Sequence, residues 1–536
     1  MKTRLSSNAL ILVTMAILAT GCQKEQGLDY PELINYGTIH AELIDGPTFN
    51  KSIPANATSI VFCCYYQYND ETLQVLLSSP SSLAPIYGHL NGNVWYVTTP
   101  ACAFEANPNS GELFRGCSKL TFIDFGKNFS TSNVTDMHGM FQGCSKLTNL
   151  DLSSFNTSNV TDMCRMFEGC KNLTSLNLSS FNTSNVTDMR GMFQGCSNLT
   201  NLDLTSLNTS NVNNMAAMFK WCSGLTSLDV SSFNTSNVTD MHEMFRGCNK
   251  LTSLNVSSFN TSHVQRMDAM FYGCSGLTSL DVSNFNTSNV VLMTRTVDTV
   301  LDYYTGYSSN QEVQIARNNE LIRFGMFAQC SSLTSLDLSS FNTSKVTDMR
   351  GLFEGCKNLT SLNVSSFNTS NVKYMDAMFR GCSSLTSLDL SNFNTSQVVS
   401  MGDVHRFFYN SGSAGQYGDY SYLTNGGMFE NCTSLSSLDL SNFYTPNVAR
   451  MYNMFYNCTH LTYLNLSNFD MSHLEDIDYD YHFAGKDDMC YHLSTASGNC
   501  TIVCTESVQN SLLEYDGHFY ITRIPVSTVN FTWVRP

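Results

Sequence analysis

A single phrase of 26 residues recurs through most of this chain, and it constrains the fold more than any other feature. One copy runs from Val186 to Asn211 as VTDMRGMFQGCSNLTNLDLTSLNTSN. The copies keep one skeleton: Val, Met, Met-Phe, Cys, Leu, Leu-x-Leu or Leu-x-Val, Phe, Asn-Thr-Ser. Twelve cysteines mark the register: Cys117, Cys144, Cys170, Cys196, Cys222, Cys248, Cys274, Cys330, Cys356, Cys382, Cys432 and Cys458. Successive steps are 26 or 27 residues, except for 56 after Cys274 and 50 after Cys382. A fixed period of this size, too short to bury a core alone, predicts coils stacked on their neighbours as a solenoid.

Two periodicities share the phrase. Val186, Met189, Met192, Phe193 and Cys196 lie on one face of a helix. Asn185 with Asp188 suggests an N-cap and an acid in the first turn, and Gly195 a positive-φ stop. Leu202 and Leu204 alternate with polar residues, as in a strand. Each coil is therefore expected to hold a short helix, a turn, a short strand and a polar return.

The motif MFxGCxxLTxLDLSxFNTSNVTDM, nearly verbatim at 140–163, 192–215, 244–267 and 352–375, resembles the leucine-rich repeat, and specifically the BspA-like bacterial surface-protein repeat. The resemblance covers roughly residues 105–475. It implies an α/β repeat fold, a right-handed leucine-rich-repeat solenoid of about 12–13 coils, on a bacterial surface and used for adhesion or binding without catalysis.

The chain start supports export. Lys2 and Arg4 precede an apolar run, Ala9 to Ala19, that is too short to span a bilayer. Ala19-Thr20-Gly21-Cys22 resembles a bacterial lipobox, although Leu18 stands one residue earlier than the usual pattern. The expected layout is a signal peptide at 1–21, a lipid anchor on Cys22, and a tether at 22–30. A β-rich N-terminal cap at 31–104 follows, then the repeats at 105–483, and a small α+β cap at 484–536. In the caps, strands are expected around Ile39, Ser59–Cys63, Val94–Val97, Asn499–Cys504 and Val529–Val534, and a helix at Glu506–Leu513.

Stacking turns repeat positions into columns. The cysteine column is expected to be free thiols, because a small buried hydrophobe suffices on that face. Among cysteines off the column, Cys500 and Cys504 are the best disulfide candidates, although their alternation in a strand-like run could equally put both in a core. The column of Asp151, Asp203, Asp229 and their equivalents reads either as a solvated acidic stripe or as a cation-binding one. The column of Asn156, Asn182 and Asn208 reads as a turn ladder.

The regularity breaks at one repeat position. Between Met293 and Met326 lie 32 residues, and between Met401 and Met428 lie 26, where the normal spacer is two. After Ile477 the last copy dissolves at the same point. The insertions, 294–325 and 402–427, and the final tail are rich in aromatics: Tyr303, Tyr304 and Tyr307, then Phe407, Phe408, Tyr409, Tyr417, Tyr420 and Tyr422, then Tyr479 and Tyr481. Tyr among Gly and Ser suits adaptable binding loops. Packing of the loops on one another is the alternative reading.

A formal charge of −16 argues against nucleic acid as partner. The sequence carries no HExxH, GxSxG, P-loop or Rossmann glycine pattern, so neither catalysis, cofactor nor metal is expected. The expected partner is a host or bacterial surface protein, with a glycan as the alternative. The expected location is the outer-membrane surface of the bacterial envelope.

Overall fold

The computed structural model describes residues 39–64, 74–297, 322–402, 405–408, 420–423, 426–474, 500–508 and 529–533. The chain forms two compact units, Met1–Asn185 and Val186–Pro536.

In the second unit the copies stack coil on coil, but the expected helix is absent. From Met189 to Cys196 the backbone is a chain of tight turns whose N–H groups alternate between two destinations. Those of Met189, Gly191, Phe193 and Gly195 donate to Asn214, Ala216, Met218 and Lys220 of the next coil, at 2.7–3.1 Å. Those of Met192, Gln194 and Cys196 close turns inside the coil, on Met189, Gly191 and Phe193. The cause is backbone geometry. Gly191 and Gly195 sit at φ 63° and 72°, which a right-handed helix cannot accommodate. Gly195 thus has the positive φ expected of it, but inside a turn chain and not at a helix end. Asp188 likewise caps no helix: its Oδ1 accepts the Arg190 N–H, closing an Asx turn.

The core remains as the pattern implies. Val186, Met189, Met192, Phe193, Cys196, Leu199, Leu202, Leu204 and Leu207 are all buried. Phe193, Phe219, Phe245 and Phe271 stack at 5.7–5.8 Å. A second stack at the return, Phe367, Phe393, Phe443 and Phe469, has rings 6.2–6.3 Å apart. The coils are thus closer on the turn side, where the backbone ladder runs. The Leu-x-Leu segments pair as strands at Ser335–Asp337 with Ser361–Asn363 and at Ser437–Asp439 with Tyr463–Asn465, and the strands Cys500–Cys504 and Val529–Trp533 beyond the repeats extend the latter sheet in parallel. In coils such as 186–263 they carry no strand.

Polar columns join the coils. Thr209 Oγ1 donates to Asn234 O and accepts from Asn234 N, and Thr235, Thr261 and Thr369 repeat this clamp one coil on each time. These threonines are buried, unlike the Ser and Asn beside them. The Asn column forms the expected turn ladder: Asn208 Oδ1 accepts from Ser210 N, as Asn234 does from Ser236 N. Each thiol from Cys222 to Cys458 donates to the Phe carbonyl of the preceding coil, at 3.1–3.3 Å. The column cysteines are free. Of the two readings of Cys500 and Cys504, the core placement holds and the disulfide does not: both are free and buried in the strand Cys500–Cys504, whose alternation turns them to the same side. Cys63 is disulfide-bonded.

The first unit opens with a mixed sheet in the order Val75–Leu76, Tyr87–Asn91, Val94–Thr99, Ser59–Cys64, Phe122–Asp124. Its last strand belongs to the first repeat copy. A helix, Gly46–Ser52, is capped by Asp45 and seats Phe49 against Trp95, Phe62 and Phe114. Gly46 is required here, since a Cβ would lie 1.9 Å from Gly111 O. Coils then follow with the same wiring: Cys144 and Cys170 donate to Phe114 and Phe141 carbonyls.

Candidate interaction site at the roots of two arms

Both long insertions leave the second unit as β-hairpin arms. Thr294–Val297 pairs antiparallel with Ile322–Gly325, and His405–Phe408 with Tyr420–Leu423. Both arms are spliced into the same turn. In a regular coil Met192 N donates to Met189 O across a two-residue spacer; at the arms Met326 N donates to Met293 O and Met428 N to Met401 O, both at 2.9 Å. The ladder to the preceding coil survives too, through Phe271 N to Met326 O and Phe379 N to Met428 O. The Phe stack crosses the first splice without a change of step, at 5.8 Å between Phe271 and Phe327. The arms return through Gly325 and Gly427, where a Cβ would fall 2.1 and 1.8 Å from the carbonyl oxygens of Gly351 and Asn453.

The first root is built on buried charge. Glu243 receives Lys220 Nζ at 2.7 Å and the Arg246 guanidinium. Arg295, from the arm, reaches Glu243 at 3.5 Å and Asp268 at 4.0 Å. Burial alone would raise the Glu243 carboxyl; Lys220, Arg246 and Arg295 outweigh it and hold it well below the ordinary carboxylate range. The Arg246 guanidinium is boxed by three rings, 4.1 Å from Phe324, 5.2 Å from Trp221 and 5.3 Å from Tyr272. Phe324 belongs to the arm and meets Tyr272 edge-on. Trp221 takes the place of Gly195 in its coil at φ 60°, and Gly247 leaves it room: a Cβ there would lie 2.3 Å from the Trp221 ring.

The second root uses an ionic network. Arg380 bridges Glu354 at 2.6 Å and Glu430 at 3.1 Å. Two carboxylates share one guanidinium, so their effects divide. Burial, with Glu354 nearby, leaves the Glu430 carboxyl above its ordinary value despite Arg380. Arg380 itself is lowered by burial and raised more strongly by the two carboxylates.

The acidic column is committed to turns. Asp203, Asp229 and Asp281 each accept from the backbone N–H two residues on. Hydrogen bonds from that Ser or Thr hold all three below the ordinary carboxylate range.

Of the aromatic residues singled out from sequence, four fall within the described residues. Phe407, Phe408, Tyr420 and Tyr422 are in the second arm's stem as backbone. Tyr303, Tyr304, Tyr307, Tyr409, Tyr417, Tyr479 and Tyr481 lie outside the described residues, as does Cys22. The sequence reading missed Trp221, Glu243, Arg246 and Arg380. A signal was present for Trp221, which departs from the glycine common at its repeat position, whereas Arg246 and Arg380 share one variable position with Arg115, and Glu243 shares its position with Glu112. Among the described residues, no helix is long and apolar enough to cross a membrane.

The solved structures that align with the chain include three with low superposition. The functional domain of InlJ from Listeria monocytogenes, which includes a cysteine ladder, shares 19% identity, covering 72% of this chain and 74% of that one, with a TM-score of 0.16. The TLR13–ssRNA13 complex gives 16% identity, 71% and 62% coverage and a TM-score of 0.15. The Toll–Spatzle complex of Drosophila gives 13%, 75% and 53%, and 0.20. At these TM-scores the superpositions carry no argument. No curated protein matches the chain. A family model described as "Mycoplasma protein of unknown function, DUF285" matches residues 109–228, 218–315, 324–417 and 419–494, and the chain therefore belongs to the DUF285 family.

Proposed function

We propose that this protein is a non-catalytic, surface-anchored lipoprotein whose coils hold two arms toward a macromolecular partner, a protein of a host or a neighbouring cell. One observation carries the reading. Two insertions of different length enter at the same turn, and the same Met-to-Met turn bond and Phe-to-Met ladder bond close beneath both. Long loops set on a rigid scaffold are where binding residues concentrate. The aromatic composition of the arms supplies contact area at low entropic cost. The BspA-like assignment, the leucine-rich-repeat handedness and the lipid on Cys22 belong to the same proposal and rest on sequence resemblance.

The test has two parts. Excising 298–321 and 409–419 with the stems closed by short turns is expected to leave the coils folded and to abolish binding to a panel of extracellular-matrix and cell-surface proteins. Full binding by the folded excision variant refutes the arms as the binding element. Protease shaving of intact cells is expected to release coil and arm peptides, and Cys22→Ala to release the protein from the membrane fraction. The second reading, a glycan-binding accessory lipoprotein of the envelope, draws on the same tyrosines stacking against sugar rings. It is favoured if a glycan array gives hits that excision removes and the protein panel gives none.

A further inference from the structure

The coil surface between the two arms departs from the repeat in a way that folding does not require. Two adjacent positions matter: the residue after the buried Val and the next one, which forms the parallel bridge between coils. In the coils before the first arm, these positions of the second unit are Thr187-Asp188, Asn213-Asn214, Thr239-Asp240 and Gln265-Arg266. At the foot of the first arm they become Val291-Leu292, then Thr347-Asp348 and Lys373-Tyr374, and at the foot of the second arm Val399-Ser400.

The backbone ladder of this strip runs in the regular way up to the first arm and again after it; across the arm, from Thr347 to Val291, that bond is missing among the described residues. Val291 N donates to Gln265 O, Lys373 N to Thr347 O, and Val399 N to Lys373 O, as Thr239 N does to Asn213 O in an arm-free coil. At Lys373-Tyr374 and Val399-Ser400, where the ladder is intact, the substitutions therefore alter only what the strip shows to solvent. Val291 and Leu292 are 41% and 37% exposed, two of the four large hydrophobics exposed among the described residues of this unit. Lys373 is exposed. The Tyr374 ring carries the Arg350 guanidinium 4.5 Å from its centre, and Arg350 is held by Asp348 at 2.6 Å. Lysine enters the exposed part of the Asn-Val-Thr-Asp stretch at only two of the copies, Lys345 and Lys373, and both lie between the arms.

We infer that the strip between the arms, centred on Lys373, Tyr374, Arg350 and the Val291-Leu292 pair, is a docking floor for an extended polypeptide segment that carries Asp or Glu beside an aliphatic or aromatic residue. This rests on the reading that the arms bind a protein, and it names the partner's chemistry. Charge selects the sign: cations gather on this strip while the chain as a whole is at −16. Tyr and Arg are the residue types that dominate binding energy at interfaces. Exposed aliphatics suit a peptide side chain better than a sugar ring, which favours an aromatic platform. Size selects the shape. The arm roots are three coil steps apart, about 14 Å at the usual strand separation. About four residues of an extended chain cover that distance, so one short extended segment reaches from root to root.

The experiment uses the full chain and synthetic peptides of about twelve residues, each with several Glu or Asp around one Leu or Phe, against versions with Gln and Asn in place of the acids. Binding is read by fluorescence anisotropy at low and high salt. The acidic set is expected to bind, the neutral set about tenfold or more weaker, and the difference to shrink with salt. Lys373→Glu and Tyr374→Ala should each cost about tenfold, one decade in Kd, and Lys373→Gln less. Thr239→Glu, the same position in an arm-free coil, should change nothing. Equal binding of acidic and neutral peptides overturns the inference, as does unchanged binding by Lys373→Glu, or binding of anionic oligosaccharides with no peptide bound. Excision of 298–321 and 409–419 separates the two claims. If excision abolishes peptide binding and Lys373→Glu does not, the floor is wrong and the arms stand. If Lys373→Glu abolishes it and excision does not, the floor stands and the arms are not the binding element.

Discussion

The two arm roots solve one problem with different chemistry. Each must seat a hairpin on a turn that was built for two residues. The first root encloses a guanidinium in three aromatic rings, one of them, Phe324, brought by the arm itself. The second clasps Arg380 between two carboxylates, one from each side of the splice. A ring in a box fixes direction as well as distance. An ion network fixes distance and tolerates rotation. The difference teaches that the splice is set by the backbone, while the firmness of each arm is set locally by side chains.

The largest expected effect comes from breaking the charge balance at the first root. Glu243→Ala leaves Lys220 and Arg246 buried without their shared anion, a loss of about 3–5 kcal/mol. Glu430→Ala should cost clearly less, because Arg380 keeps Glu354. Chemical denaturation of the two variants ranks them, and equal losses would show that the roots are energetically alike.

Next comes Phe324→Ala, expected to cost about 3 kcal/mol for a buried ring and to expose the first stem without loosening the coils. Hydrogen exchange should rise at 294–297 and 322–325 and remain slow at Phe245 and Gly247, whose N–H groups lie in the coil ladder. Exchange that rises everywhere would mean the arm and coils unfold as one.

The two glutamates should also differ in their response to pH. Glu243 is lowered in the folded chain, so its stabilisation is present above the unfolded value and fades as pH falls toward its folded pKa. Glu430 is raised, so it favours the fold when protonated and that advantage is lost as pH rises through its folded pKa. Glu243→Gln should therefore flatten the acid limb of a stability–pH curve, and Glu430→Gln should stabilise near neutrality. The same sign for both would refute the contrast.

The smallest effect tests the turns beneath both roots. Ala269 holds φ 56° and Ala377 φ 55°, where glycine is at ease. Replacing either with Gly should stabilise by about 0.5 kcal/mol, the relief of left-handed strain less the entropy of a freer chain, seen as a rise of a degree or so in Tm.

Much of this was legible in the residues themselves. The period, the cysteine column and the Asn turns follow from one copy and its repetition. The helix did not, because the spacing of Val186, Met189, Met192, Phe193 and Cys196 reports which side is buried and not how the chain turns to bury it. Tandem turns with a left-handed residue every fourth position turn the same residues inward. The clue was the pair Gly191 and Gly195, repeated as Gly139 and Gly143 and as Gly351 and Gly355. Two glycines four apart argue against a helix that must end at the second. The clamp threonines were equally visible, as the middle residue of every Asn-Thr-Ser. Their burial depends on the neighbouring coil, which no single copy contains. Arg246 and Arg380 were hidden for a related reason: they share a repeat position that is often charged, which reads as surface until a neighbouring coil or arm pairs with it.

The alternating wiring of the turn chain has a consequence for how the molecule comes into being. Met189, Gly191, Phe193 and Gly195 all point their N–H groups forward, to a coil that has not yet been synthesised when they leave the ribosome. A newly emerged coil is thus an unfinished sentence. It waits one full period for its acceptors, while its own carbonyls finish the coil before it. Order must then travel along the chain in the direction of synthesis, one period behind the growing end. At each arm the wait lengthens by the length of the insertion, so the two splices are the natural pauses in assembly.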